Sequence, residues 1–175
     1  MNKITSSLFA TIALAATGIA GSEMVAKDYK TPAPEPCFKD VEFQLDIFGS
    51  YTNPVSRSVH SDDFGGGLGV NYFFTRYLGV GVSGNIYDGG VHGVWNVDTS
   101  IIARYPLELG TLCIAPYILA GGGVLTNGTT VGSWHAGGGL EWRATPQIGV
   151  FGEGRYIWAE DNDSAMARVG LRFVF

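Results

Sequence analysis

From residue 41 onward, hydrophobic and polar residues alternate within segments of about ten residues. A period of two is typical of β-strands that have one apolar face and one polar face. The pattern therefore predicts eight strands with no helix between them. They cover residues 41–51, 64–74, 77–87, 94–105, 111–122, 134–143, 148–158 and 165–175.

The connections between these strands alternate in length. The longer, polar ones are predicted at 52–63, 88–93, 123–133 and 159–164. The short turns are predicted at 75–76, 106–110 and 144–147. Long loops at one end and tight turns at the other are typical of outer-membrane β-barrels. The predicted fold is all-β, an eight-stranded antiparallel up-and-down transmembrane β-barrel.

The polar faces of the strands carry equal numbers of acids and arginines but no lysine. Arginine suits buried ion pairs because its planar guanidinium binds a carboxylate through two hydrogen bonds. We therefore expect a charged, neutralised lumen rather than a solvated face. The residues of this set are Glu42, Asp46, Asp98, Glu141 and Glu153 with Arg104, Arg143, Arg155, Arg168 and Arg172.

Closing the barrel pairs the first strand with the last in antiparallel direction. Glu42 and Asp46 are four residues apart, as are Arg168 and Arg172. Cross-strand pairs of opposite charge stabilise a sheet. One register satisfies both pairs, and it predicts Glu42 opposite Arg172 and Asp46 opposite Arg168.

The apolar faces carry aromatic residues near the strand ends and aliphatic residues between them. Two aromatic girdles around an aliphatic band are typical of a wall that faces lipid. The outer-membrane bilayer is therefore the expected partner of this face. Trp95, Trp134 and Trp158 belong to the girdle toward the long loops, and Tyr105 and Trp142 to the girdle toward the tight turns.

Composition and charge exclude several other classes of protein. Hydrophobic residues make up 46% of the 175-residue chain, aromatic residues 13% and charged residues 15%, which excludes a disordered acidic chain. The net charge of −5 argues against nucleic acid as a partner, since such proteins carry a basic patch. The 26 glycines disfavour a helical bundle.

The N-terminal residues predict export. Residues 1–20 have the basic start, short apolar stretch and small residues of a cleaved signal peptide. Residues 21–40 form a proline-containing periplasmic spacer, and residues 41–175 form the barrel, which we expect in the cell outer membrane. Cys37 and Cys113 both lie at the tight-turn end, where a disulfide would fold the spacer across the barrel mouth. Two free thiols are the alternative.

The candidates for catalysis or metal binding are weak. A hydrolase site could combine His60, Ser61 and an acid, and a metal site could combine His60, His92 and His135. His135 is predicted to point into the lumen, the wrong side for lipid chemistry, and solvated loop histidines are the favoured interpretation. Asp161 and Asp163 lack the glycine and distal glutamate of a calcium loop. We expect no catalytic residue, no cofactor and no metal.

Five segments of the chain carry recognisable motifs. They are 115–117 (APY), 121–123 (GGG), 137–143 (GGGLEWR), 152–156 (GEGRY) and 170–175 (GLRFVF). With these motifs the chain resembles the small outer-membrane barrels of the OmpA/OmpX and opacity-protein type, a porin family of Gram-negative-type bacteria. The resemblance implies a structural or surface-contact role in the cell envelope. It also implies that Phe173 and Phe175 form the signal recognised by the barrel-assembly machinery. A lipid-modifying enzyme with a site at the extracellular rim and a narrow pore are the alternatives.

Overall fold

The computed structural model describes residues 36–55, 63–88, 93–160 and 163–175, which belong to the compact unit Pro34–Phe175. No helix in these ranges is long and apolar enough to cross a membrane. The strands are β1 (Glu42–Pro54), β2 (Asp63–Phe73), β3 (Leu78–Asp88), β4 (Gly93–Arg104), β5 (Leu107–Leu109), β6 (Leu112–Asn127), β7 (Thr129–Thr145), β8 (Ile148–Ala159) and β9 (Ser164–Val174).

The strands form one antiparallel sheet that closes on itself. β1 pairs with both β2 and β9, and β4 pairs with β6. The short strand β5 follows β4 and pairs with the same neighbour, β6, so β4 and β5 share one position in the wall. The wall therefore has eight positions, which confirms the predicted up-and-down barrel. We call the end with the turns at 74–77, 110–111 and 146–147 the turn end, and the opposite end the loop end.

Side chains alternate between the lumen and the outer surface, as the period of two requires. In β4 every second residue from Val94 to Arg104 is buried, while most of the residues between them are exposed. Large apolar side chains cover the outside: Phe64, Trp134 and Ile118 are 75%, 72% and 69% exposed. Such a continuous apolar surface is unfavourable in water and suits the hydrocarbon core of a bilayer.

The connection predicted at 123–133 is wrong, because β6 and β7 extend through it as a tall hairpin. Their paired residues run from Cys113 opposite Arg143 to Asn127 opposite Thr129. Gly128 reverses the chain with a φ of 76°, a conformation that glycine adopts without a steric penalty. The threonines and valines of this segment favour paired strands. The sequence Asn127-Gly128 is itself a hairpin signal, and it could have located the turn.

Several predicted features lie outside the described residues. They are the signal peptide 1–20, the spacer up to residue 35, and parts of the loops 52–63, 88–93 and 159–164. The loop residues His60, Ser61, His92 and Asp161 are among them.

The predicted register between the first and last strands is wrong by four residues. Asp46, not Glu42, lies opposite Arg172, and Ser50 lies opposite Arg168. Equal spacing of the charges on both strands allowed two registers. The observed one pairs the whole of β9 with β1 up to Pro54, whereas the predicted one would leave the loop end of β1 unpaired.

Tight approach between β4 and β6 predicts that Gly121 does not tolerate a side chain. A Cβ atom at this position would clash with the carbonyl oxygen of Thr99, whereas a Cβ at Gly152 would meet no atom within 4 Å. We expect Gly121→Ala to lower the free energy of unfolding by about 1–3 kcal/mol, the usual cost of overpacking. Gly152→Ala is the matched control, with an expected change of less than about 0.5 kcal/mol. Urea unfolding in detergent micelles measures both values, and equal stability of the two variants would contradict the prediction.

Candidate functional site

Two buried acids and two arginines close the lumen near the turn end. Arg104 donates to Glu42 through Nη1 at 2.8 Å, and Arg143 donates to the other oxygen of Glu42 at 2.9 Å. Arg143 also donates from Nε to Glu141 at 2.6 Å. All four side chains are almost completely buried. Glu42 of β1 therefore holds two guanidinium groups, one from β4 and one from β7.

Arg172 extends this network up the lumen. It donates to Glu141 at 2.7 Å and to both oxygens of Asp46, each also at 2.7 Å. Asn71 donates to Asp46 at 2.8 Å. Bidentate pairing with Asp46 joins β1 to β9, and the bond to Glu141 joins β9 to β7. We call Glu42, Asp46, Arg104, Glu141, Arg143 and Arg172 together the turn-end charge cluster.

A second group of charges lies in the middle of the lumen, centred on Asp98. Asp98 accepts from Arg155 at 2.7 Å, from Arg168 at 3.1 Å and from Ser83 at 2.9 Å. Glu153 pairs with the Nε of Arg155 and accepts from the hydroxyl of Tyr117 at 3.0 Å. We call Asp98, Glu153, Arg155 and Arg168 the central charge cluster.

Together the two clusters contain all ten residues that the sequence predicted as lumen charges, and each is buried. Five carboxylates face five guanidinium groups, so the charges cancel. A buried charge without a partner is strongly unfavourable, whereas a hydrogen-bonded pair recovers most of that cost. The pairs differ from the predicted ones because the observed register of β1 and β9 places Asp46 opposite Arg172, and Glu42 pairs instead with Arg104 and Arg143.

Aromatic rings fill the space between the arginines. The guanidinium of Arg104 lies 3.7 Å from the centre of the Phe73 ring, and that of Arg168 lies 4.5 Å from the centre of the Phe48 ring. This stacking lets the flat face of a guanidinium contact the face of a ring, while the N–H groups at the edge of the guanidinium donate to carboxylates. Phe48 and Phe73 were not among the predicted lumen residues. The strict alternation of β1 and β2 was the signal that could have found them.

His135 points into the lumen, as the sequence predicted, and lies near a serine and an acid. Its Nε2 is 2.9 Å from the hydroxyl of Ser100 and 3.9 Å from Asp98. A nucleophilic triad needs the acid on the other ring nitrogen, where it orients the imidazole. Both contacts here use the same nitrogen, and all three residues are buried. These three side chains are therefore not arranged as a nucleophilic triad.

The loop end of the lumen is closed by apolar side chains. Tyr87, Val94, Ile157 and Met166 form a buried cluster that is contributed by four strands. Below it, the hydroxyl of Ser50 donates to the side-chain oxygen of Asn85 at 3.0 Å. This cluster separates the charged lumen from the loop end of the barrel.

One small void lies among the lumen charges. It is lined by residues of both charge clusters and by rings such as Phe48 and Phe151, and its volume is about 20 Å³. A single water molecule needs about 10–15 Å³ of such space. The void therefore has room for one water molecule.

The turn end of the lumen is closed by the residues that precede β1. We call residues 37–40 the plug segment. A disulfide joins Cys37 to Cys113 of β6, with 6.1 Å between the Cα atoms. Phe38 is 1% exposed and packs against Cys113 and Ala115. The carbonyl oxygen of Cys37 accepts a hydrogen bond from Arg143, which ties the plug segment to the turn-end charge cluster.

The predicted girdle residues all point away from the lumen and are exposed. They are Trp95, Trp134 and Trp158 on one side and Tyr105 and Trp142 on the other. Of the two residues of the expected assembly signal, Phe175 is 75% exposed and Phe173 is half-buried. Phe175 exchanges backbone hydrogen bonds with Phe43 at the end of the seam between β1 and β9. Within the described ranges, no group of three or more metal-binding side chains comes together.

The fold is that of the small eight-stranded outer-membrane β-barrels, which confirms the resemblance at the level of fold. No protein-family model matches the sequence, and no curated protein matches it either. Several solved structures, in contrast, are similar to this chain. The N-terminal β-barrel domain of Pseudomonas aeruginosa OprF is 18% identical with a TM-score of 0.57, covering 75% of this chain and 97% of that one.

Two further solved barrels are similar to this chain. Neisserial surface protein A is 13% identical with a TM-score of 0.57, covering 75% of this chain and 96% of that one. Ail, the attachment invasion locus protein of Yersinia pestis, solved in complex with the heparin analogue sucrose octasulfate, is 16% identical with a TM-score of 0.51. This match covers 78% of this chain and 99% of Ail. Identities this low establish the shared fold alone.

The geometry of the turn-end charge cluster predicts a large effect of removing the charge of Glu42. Glu42→Gln would leave Arg104 and Arg143 buried with one carboxylate fewer, and breaking a buried ion pair costs about 3–5 kcal/mol. Glu108→Gln is the matched control, because Glu108 pairs with Arg76 at 3.2 Å near the surface, where such pairs contribute about 0–1 kcal/mol. Urea unfolding in detergent micelles measures the difference. Equal losses of stability in both variants would contradict this account of the lumen.

Proposed function

We propose that the protein is a barrel of the cell outer membrane with a structural or surface-contact role, and that it is neither an enzyme nor a channel. The observation that carries this proposal is the pairing of an apolar outer wall with a lumen filled by neutralised charges. The first feature suits insertion in a bilayer, and the second leaves no path for a solute. What remains for function is the wall itself and the residues at its two ends.

Location and insertion follow from the same proposal. Residues 1–20 act as a cleaved signal peptide, and the exposed aromatic Phe175 with Phe173 serves as the signal for the barrel-assembly machinery. The turn end, which carries the plug segment, then faces the periplasm, and the loop end faces outward. The exposure of Phe175 at the seam supports this role, since a receptor needs access to the side chain.

Surface contact would use the loop end, where the hairpin of β6 and β7 stands above the wall. Its neighbour β8 ends at Ala159 opposite Ser133, so residues 129–132 extend beyond the paired wall. Residues 121–133 carry no charged side chain. Contacts made by this hairpin would therefore depend on threonine hydroxyls, backbone groups and valine side chains, and they should be insensitive to salt.

A catalytic role is not favoured by the arrangement of the described residues. His135 is the histidine that the described ranges contain. It lies inside the closed lumen, where its ring contacts the hydroxyl of Ser100. A lipid substrate would approach from the outer wall, on the opposite face of β7. We therefore propose that the protein is not a lipid-modifying enzyme.

The location predicts heat-modifiable migration in the outer-membrane fraction. A closed barrel keeps its compact shape in SDS until it is heated, because every strand has two hydrogen-bonded neighbours. We expect the unboiled protein to migrate differently from the boiled protein on a gel of purified outer membranes. Recovery in the soluble periplasmic fraction with no shift would overturn the proposed location.

The filled lumen predicts the absence of a conductance in planar bilayers. The apolar cluster at the loop end, the two charge clusters and the plug segment lie in series along the lumen, and the void among them holds about one water molecule. We expect folded protein to leave the current at baseline at both signs of voltage. An open porin added to the same bilayer is the positive control. Reproducible unitary steps from the purified protein alone would contradict a closed lumen.

A further inference from the structure

The plug segment is attached to the barrel by one covalent bond and a few local contacts. The disulfide to Cys113 is the covalent one. Phe38 lies between two guanidinium groups, 4.1 Å from that of Arg143 and 5.0 Å from that of Arg104. No residue of this segment belongs to a strand, so it can leave the lumen without breaking the hydrogen bonds of the wall.

The residue that connects the plug segment to β1 has an unfavourable backbone conformation. Val41 has a φ of 57°, and in the described ranges it is the single non-glycine residue with positive φ. For a β-branched residue this conformation is a true outlier, because the branched side chain clashes with the backbone. Such strain persists only where surrounding contacts enforce it. Val41 lies between the packed residues of the plug segment and the first residue of β1, so both neighbours restrain it.

We propose that the disulfide is a redox-controlled latch, and that its reduction releases the plug segment from the turn end while the barrel stays folded. Val41 is the hinge. On release its φ returns to the ordinary negative region, and Phe38 leaves the space above Ala115. The guanidinium groups of Arg104 and Arg143 that Phe38 covered then become open at the mouth of the lumen.

The reductant is a dithiol, and the chemistry balances as ordinary thiol–disulfide exchange. Its first thiolate attacks the sulfur of Cys37, which is partly exposed, whereas Cys113 is 6% exposed. The sulfur–sulfur bond breaks, and Cys113 leaves as a thiolate that takes up a proton. The second thiol of the dithiol then attacks the mixed disulfide and frees Cys37 as a thiol. Two electrons pass to the cystine, and the dithiol becomes a disulfide.

The turn-end charge cluster explains why the wall survives the release. Arg143 loses the carbonyl oxygen of Cys37 but keeps its bonds to Glu42 and Glu141. Arg104 keeps Glu42 as its partner and Phe73 beneath its guanidinium. Further links of the plug segment include the hydrogen bond from the backbone of Lys39 to Glu42 at 3.3 Å and that from the backbone of Arg76 to Asp40 at 2.7 Å.

Proteolysis at Lys39 tests the latch on the full chain. Residues 40–175 contain no lysine, so a lysine-specific protease has no site in the barrel itself. Cleavage needs several residues in extended, accessible form, which a docked plug segment does not offer. We expect cleavage after Lys39 to be at least tenfold faster in protein reduced with a phosphine than in oxidised protein. The product 40–175 should keep its heat-modifiable migration. Equal cleavage rates before and after reduction would overturn the proposal.

Two variants separate the latch from a general loss of stability. The double variant Cys37→Ser with Cys113→Ser should be cleaved as fast as reduced wild type and should not respond to reductant. Loss of heat-modifiable migration in this variant would show that the disulfide holds the barrel itself, which would also overturn the proposal.

In Val41→Asn the side chain tolerates positive φ, so the reduced variant should be cleaved more slowly than reduced wild type. Equal rates in those two would overturn the role of Val41 as the hinge.

Discussion

The hydrogen-bonded pairing of buried arginines with carboxylates is the constraint on which this barrel depends. An arginine in the lumen without a carboxylate would be strongly unfavourable, so each one restricts how its strand can align with others. Arg172 illustrates this, because it reaches Asp46 on the neighbouring strand and Glu141 two strands away. A shift of β9, the strand that carries Arg172, would break both bonds. The network therefore selects the register of the wall as well as filling its interior.

The filling of the lumen also dictates where function can reside. Guanidinium groups stacked on rings such as Phe48 and Phe73 occupy the width that an eight-stranded barrel offers. The wall can curve this tightly because glycines stand where strands approach most closely, as Gly121 does beside Thr99. With the interior occupied and an apolar outside that suits lipid, the strand ends are left for the proposed contact role. The tall hairpin of β6 and β7 is the largest such feature among the described residues.

Sequence alternation was enough to predict the strand number, the faces and the ten lumen charges, because burial in a barrel wall follows the period of two. It could not predict which charges meet. Glu42 pairs with Arg104 and Arg143, which lie on strands that are distant from β1 around the wall. Such contacts depend on the tilt and stagger of all the strands together. The sequences of two strands alone do not determine that tilt and stagger. The hairpin at Gly128 is hidden for another reason, because its segment is rich in glycine and threonine, residues that also occur in loops.

The two ends of the lumen are closed by different means, and this difference limits where the barrel can change. At the loop end the closing side chains, such as Tyr87 and Ile157, belong to wall strands and cannot leave without unfolding them. At the turn end the closing ring of Phe38 belongs to a segment outside the wall, fixed by the bond to Cys113 and followed by the strained Val41. Of the two closures that the described residues form, the one at the turn end is therefore the one that can open while the wall stays paired. The bond that can change there is the disulfide between Cys37 and Cys113, which a reductant can open.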